Sequence, residues 1–180
     1  DNAGDGTRMS KVRVGTTWLD ACSGCHMSFL DMDEGLVDLA DKIQMVYGPL
    51  MDAKEIPEDI DLFLISGAVS TDEDVEQVKT IRERSELVVS LGDCAVTGNI
   101  VNYRNLLDTG EMLQNVYGDT CMEDPDELPR LLSLVRPVHQ IIQVDGFIQG
   151  CPPDAQLIGF YLGELVEGRV PGRGIRTKFG

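Results

Sequence analysis

Leu62-Phe63-Leu64-Ile65 is a run of four consecutive apolar residues between Asp61 and Ser66-Gly67. Such a run, without polar alternation, suits a strand covered on both faces, as in a parallel sheet with helices on each side. Similar short apolar segments lie to either side of it: Val12 to Thr17 and Ile43 to Tyr47 before, Leu87 to Leu91 and Gln140 to Val144 after. Between the third and fourth segments, Ser70 or Thr71 can cap a helix, with Glu73 and Asp74 three positions on and Val75, Val78 and Ile81 on one face. This stretch is read as a crossover helix. After Cys151, Pro153 suits a first helical turn, and Leu157, Ile158, Tyr161, Leu162 and Leu165 supply an apolar face that Gly168 ends.

Five strands separated by helices predict an α/β fold: a doubly wound, flavodoxin-like parallel sheet in three layers, forming a single domain. The expected organisation is a flexible N-terminal segment over residues 1–11, the domain over 12–168 and a basic tail over 169–180 carrying Arg169, Arg173, Arg176 and Lys178. Asn99 to Leu132 is less regular, with Asp119, Glu123, Asp124, Asp126 and Glu127 around Pro125, and is read as an acidic surface excursion. A length of 180 residues, 42% hydrophobic and 26% charged, is that of an ordinary globular domain. A net charge of -16 repels phosphate backbones and anionic lipid, which argues against nucleic acid and membrane partners. No apolar run reaches the ~18 residues of a membrane span, and Asp1 to Thr7 does not read as an export signal. A cytoplasmic protein is expected.

Five cysteines, Cys22, Cys25, Cys94, Cys121 and Cys151, are an odd number on a chain large enough to fold without staples, which points to metal or redox use. Cys22 and Cys25 form a C-x-x-C turn after the first strand, Cys94 follows the fourth in Gly92-Asp93-Cys94, and Cys151 follows the fifth in Gly150-Cys151-Pro152-Pro153. In a parallel sheet, these four lie at the same edge, where ligands bind. Four converging thiolates serve a 4Fe-4S cluster or a structural zinc. Three details favour the cluster. Only one pair is a C-x-x-C knuckle; Cys151-Pro152 is like the Cys-Pro ending of ferredoxin motifs; and glycines beside the cysteines would let backbone N–H groups approach the sulfurs. Cys22-Ser23-Gly24-Cys25-His26 also matches the c-type haem motif, which accounts for two cysteines only. His26 is then a turn or interface residue, and Cys121, without a strand-glycine context, is a spare thiol outside the site.

Trp18-Leu19-Asp20-Ala21-Cys22-Ser23-Gly24-Cys25-His26-Met27-Ser28, followed by Phe29-Leu30-Asp31 and Asp33-Glu34, resembles the small subunit of nickel–iron hydrogenases, most closely the soluble NAD-reducing group. Gly92-Asp93-Cys94-Ala95 and Gly150-Cys151-Pro152-Pro153 match the remaining motifs, so the resemblance runs from Val12 to Gly168. It implies that Cys22, Cys25, Cys94 and Cys151 bind one proximal 4Fe-4S cluster. A partner large subunit would carry the nickel–iron centre, and diaphorase subunits would carry further iron–sulfur clusters, FMN and NAD. The implied activity is hydrogen:NAD oxidoreduction by the complex, with this chain as an electron relay that performs no hydrogen chemistry alone.

The chain departs from the family where Ser66-Gly67-Ala68 lacks an acidic residue and where a double glycine becomes Gly98-Asn99, so cluster potential or loop packing is expected to differ. Respiratory small subunits continue into a second cluster-binding domain; here only the basic tail follows, so one cluster is expected. The related quinone-reductase subunit of respiratory complex I has adjacent cysteines rather than C-x-x-C. Trp18 is expected either to shield the cluster or meet the large subunit, or to be an ordinary buried aromatic. Asp31, Asp33 and Glu34 read as a solvated turn, with an interface or proton route as the alternative. A flavin at the sheet edge is disfavoured because Asp20 to Cys25 lacks a Ser/Thr-rich phosphate cradle. A four-cysteine zinc interaction module is the non-enzymatic alternative.

Overall fold

The computed structural model describes residues 11–118 and 128–171. Five parallel strands form the main sheet: β1 (Val12–Trp18), β2 (Ile43–Tyr47), β3 (Ile60–Ser66), β5 (Ser85–Leu91) and β7 (Gly146–Ile148), ordered β2-β1-β3-β5-β7. The expected doubly wound sheet is present. Alternate residues of β3 feed two separate cores. Leu62 and Leu64 pack with Leu39 of α2 (Glu34–Ala40) and with Leu157, Ile158, Tyr161 and Leu162 of α6 (Ala155–Val166). Phe63 and Ile65 pack with Val78 and Ile81 of α3 (Asp72–Arg84) and Ala95 of α4 (Asp93–Thr97). Both faces are thus buried, giving three layers, as continuous apolarity in this strand requires.

The crossover helix α3 begins as its sequence suggests. Thr71 is the N-cap: its hydroxyl accepts from the Asp74 N–H at 3.1 Å, while the Asp74 carboxylate accepts from the Thr71 N–H at 2.9 Å. The last helix differs by two residues. Pro153 lies outside α6, whose N-cap is Asp154, accepting from the Leu157 N–H at 2.7 Å. Gly168, at φ +73°, closes α6 with Gly168 N–H to Leu165 O and Arg169 N–H to Glu164 O bonds, a Schellman ending. Arg169 therefore belongs to the helix end rather than to a free tail, and its guanidinium pairs with Glu164 at 2.6 Å and Glu167 at 2.5 Å.

Two expectations are corrected. The fifth strand is not Gln140 to Val144 but Gly146–Ile148; Val138–Gln140 is a short 3-10 turn, and Ile141, Ile142 and Val144 pack as a loop onto the α3 side. Their apolarity reflects burial rather than strand geometry. Asp145 sets the start of pairing: its N–H donates to Val88 O and its carboxylate accepts from the Val88 N–H, both at 2.8 Å, and from Arg82 at 2.6 Å. The described parts of the Asn99 to Leu132 segment lie largely at the surface, as expected, but are more regular than expected. They contain a 3-10 helix (Asn99–Leu106), α5 (Thr109–Tyr117) and the start of β6 (Leu131–Arg136), which pairs antiparallel with β4 (Val69–Thr71) as a second sheet. The acidic cluster from Asp119 to Glu127, Cys121 within it, residues 1–10 and residues 172–180 lie outside the described residues. Among the described residues no helix is long and apolar enough to cross a membrane.

Gly15 pairs with Phe63 across the sheet, and a Cβ on it would lie 2.5 Å from the Phe63 ring. Gly15→Ala is therefore expected to destabilise the fold by about 1–3 kcal/mol through overpacking, measured as a lowered urea midpoint with unchanged slope.

Candidate metal centre

The loops that leave β1, β5 and β7 at their carboxyl ends carry the four candidate ligands. After β1, the backbone is zipped to the turn beyond β3: Leu19 N–H donates to Ser66 O at 2.8 Å, and Asp20 and Ala68 exchange N–H···O bonds at 3.2 and 3.0 Å. Gly67, at φ +90°, permits this approach, since a Cβ there would lie 2.8 Å from the Leu19 backbone. The chain then passes Cys22 and enters α1 (Gly24–Leu30), which carries Cys25. After β5, Gly92 at φ +82° turns the chain into α4, which presents Cys94. Asp93 clasps the third loop to the second: its N–H donates to Gly150 O at 2.9 Å, and its carboxylate accepts from the Gly150 N–H at 2.8 Å. Cys151 follows directly.

Cys22, Cys25, Cys94 and Cys151 thus line one concave pocket with Ala21, Gly24, Ser66 and Pro152 among its other walls. Cys94 is buried, Cys25 half-buried, and Cys22 and Cys151 exposed, so the pocket opens on its outer side. Gly92 is required beside it, because a Cβ there would fall 2.2 Å from Cys25 Sγ. Burial, then the charges of Cys94, Cys22 and Cys151 and of Asp93, push the Cys25 thiol up to about 12. Cys94 is also raised, by burial and the Cys151 charge, with partial relief from an Asn99 hydrogen bond. Four thiolates this close do not coexist without positive charge among them, so the donor set fits a bound cationic group whose charge reverses these shifts.

The glycine amides do not reach the sulfurs as expected. The Gly92 N–H donates to Ile148 O at 2.7 Å and the Gly150 N–H to Asp93, because these amides tie the loops together. Among the described residues, the donor on the sulfurs is the Asn99 side-chain amide, 3.2 Å from Cys151 Sγ and 4.0 Å from Cys94 Sγ. Its position showed in the sequence as the Gly98-Asn99 departure, but its contacts did not.

His26 is neither a turn nor an interface residue. It is 8% exposed, with Nε2 2.6 Å from the Thr16 hydroxyl and Nδ1 3.2 Å from the Ser66 hydroxyl, so its ring fastens α1 to β1 and β3. Burial lowers its pKa and favours the neutral imidazole, whose one donor and one acceptor match two hydroxyls. With both nitrogens engaged, His26 is not free to act as the axial ligand of a c-type haem. Trp18 meets the His26 ring edge-on at 5.3 Å and remains 37% exposed, so it is not the buried aromatic of one expectation and does not line the pocket. Asp31 and Asp33 sit exposed between α1 and α2, and Glu34 is exposed at the first position of α2, so the three form a solvated turn. His26→Ala is expected to cost roughly 2–4 kcal/mol by leaving two buried hydroxyls without their partner, measured by urea unfolding.

Known proteins resemble this chain in sequence and in fold. The chain is 36% identical over 171 residues to the NAD-reducing hydrogenase HoxS subunit delta of Cupriavidus necator, covering 90% of this chain and 82% of that one. It is 37% identical over 166 residues to a subunit of the F420-non-reducing hydrogenase vhu of Methanocaldococcus jannaschii, covering 89% of this chain and 58% of that one. A chain in the crystal structure of an NAD+-reducing NiFe-hydrogenase in the H2-reduced state superposes with a TM-score of 0.85 at 36% identity, over 94% of this chain and 98% of that one. The family model for the NADH ubiquinone oxidoreductase 20 Kd subunit matches residues 22–165, a span that opens at Cys22 and takes in all four pocket cysteines, and the chain belongs to that family.

Proposed function

We propose that this chain is the electron-relaying small subunit of a nickel–iron hydrogenase of the NAD-reducing kind, with Cys22, Cys25, Cys94 and Cys151 as the ligands of one 4Fe-4S cluster. The observation that carries the reading is the meeting of four thiols from three strand ends in one pocket. Its support is the likeness of the chain, over nearly its whole described length, to a chain of an NAD+-reducing NiFe-hydrogenase. The family model takes its description from NADH ubiquinone oxidoreductase, but the relatives at 36–37% identity are hydrogenase subunits, and the C-x-x-C spacing agrees with that branch.

When bound, the cluster supplies one-electron transfer. The chain's own residues position it. Cys25 and Cys94 form the inner wall against Gly92, Cys22 and Cys151 the outer wall, and the Asp93–Gly150 clasp fixes the separation of the last two loops. His26 anchors the helix that carries Cys25. The exposed Cys22 and Cys151 mark the open side, and Met27 and Ile100, on the segments that bear Cys25 and follow Cys94, are exposed hydrophobic side chains. A large subunit with the nickel–iron centre seated there would exclude water and bring its centre within electron-transfer reach. Diaphorase subunits with FMN and NAD would take the electrons onward.

Anaerobically purified protein is expected to contain about four irons and four acid-labile sulfides per chain and a broad visible absorption that dithionite bleaches. Cys94→Ser should lose most of that absorption and iron. One zinc per chain without sulfide would overturn the reading in favour of a structural site. The chain alone is expected to show no hydrogen oxidation, with activity appearing only in the complex with its large subunit.

A further inference from the structure

We propose that Asn99 sets the reduction potential of the group held by the four cysteines, its side-chain amide donating to the sulfurs of Cys151 and Cys94 and so favouring the reduced state. This inference rests on the cluster reading given above and assigns a role to a residue outside the ligand set.

The geometry is specific. Asn99 Nδ2 lies 3.2 Å from Cys151 Sγ and 4.0 Å from Cys94 Sγ, between the two ligands that come from separate loops. Ligand sulfurs only accept hydrogen bonds, so the amide must present its N–H side to them, and Oδ1 in that place would repel them. The glycine amides at Gly92 and Gly150 are committed to Ile148 O and Asp93.

The segment around Asn99 is built to hold that amide still. Gly98 caps α4 at φ +84°, and Asn99 follows at φ +38°, a conformation that asparagine tolerates better than most residues. Its own N–H donates to the Thr97 hydroxyl at 3.2 Å. The 3-10 helix that it opens is pinned to the second sheet: Arg104 donates to Ser70 O at 3.1 Å and Leu132 O at 2.8 Å, and Asn105 exchanges two bonds with the Val135 backbone at 3.0 and 2.6 Å. The small sheet and the 3-10 helix therefore act together as the bracket for this donor.

The physical consequence is directional. One-electron reduction adds one negative charge to the cluster and its thiolates, the electron coming from hydrogen oxidation in the complex or from a mediator in a titration. A donor on two of the sulfurs stabilises the added charge, so its removal makes reduction harder.

The test is a mediated redox titration, followed by electron paramagnetic resonance, of the full chain with its cluster reconstituted anaerobically from iron and sulfide. Wild type is compared with Asn99→Gly, which removes the amide and tolerates positive φ, and Asn99→Asp, which keeps the shape but replaces the donor with an oxygen. Both variants are expected to retain wild-type iron and sulfide. At the wild-type midpoint, the reduced-to-oxidised ratio of Asn99→Gly should fall about tenfold, a shift of about 59 mV for a one-electron couple, and that of Asn99→Asp should fall further. Intact clusters with unchanged midpoints would overturn this role for Asn99 and leave the relay standing. Loss of the cluster from both variants would overturn it in favour of a structural role. Wild-type protein that holds zinc and no sulfide would overturn the relay reading and this inference together.

Discussion

Burial of both faces of β3 is the constraint on which the rest of this structure depends. Leu62 and Leu64 need helices on one side and Phe63 and Ile65 on the other. A chain that satisfies both must cross over between parallel strands, and every strand then ends at the same edge. Three of those ends carry the cysteines. The site is therefore a product of sheet topology before it is a product of side-chain chemistry, since thiols on three loops remote in sequence meet only because their strands run in one direction.

At that edge the backbone departs from ordinary conformations, and each departure brings loops closer. Gly67 lets the β1 loop lie against the β3 turn, Gly92 leaves room for the Cys25 thiol, and the Asp93–Gly150 clasp joins the loops after β5 and β7. Beneath them, His26 is held neutral by burial between two hydroxyls and serves as a cross-brace. The pocket is braced from below and open above. Such an arrangement suits a redox group that must keep its position yet face a partner.

The electrostatics of the pocket oppose its own formation. Burial and mutual repulsion drive Cys25 and Cys94 towards the protonated thiol, so the geometry is only comfortable when a cationic group replaces the protons. Within this balance, Asp93 and Asn99 act in opposite senses on Cys94. The second sheet and the 3-10 helix, remote from the main core, gain their significance from holding Asn99 in that balance.

The sequence by itself determined the central strands, the crossover helix and the four pocket cysteines, because these depend on local signals: apolar runs, a Thr71-to-Asp74 cap, and glycine–cysteine turns at strand ends. It misplaced the last strand, since the apolar run Ile141-Ile142 reports burial and burial alone does not distinguish a loop from a strand. It also missed β4 and β6, whose pairing joins segments some sixty residues apart. Only the tertiary structure decided that His26 is a brace and that Asn99, not the glycine amides, meets the sulfurs. Both include hydrogen bonds between residues distant in sequence, His26 to Ser66 and Asn99 to Cys151, and the choice of partner for a polar group is made by the neighbours that folding supplies.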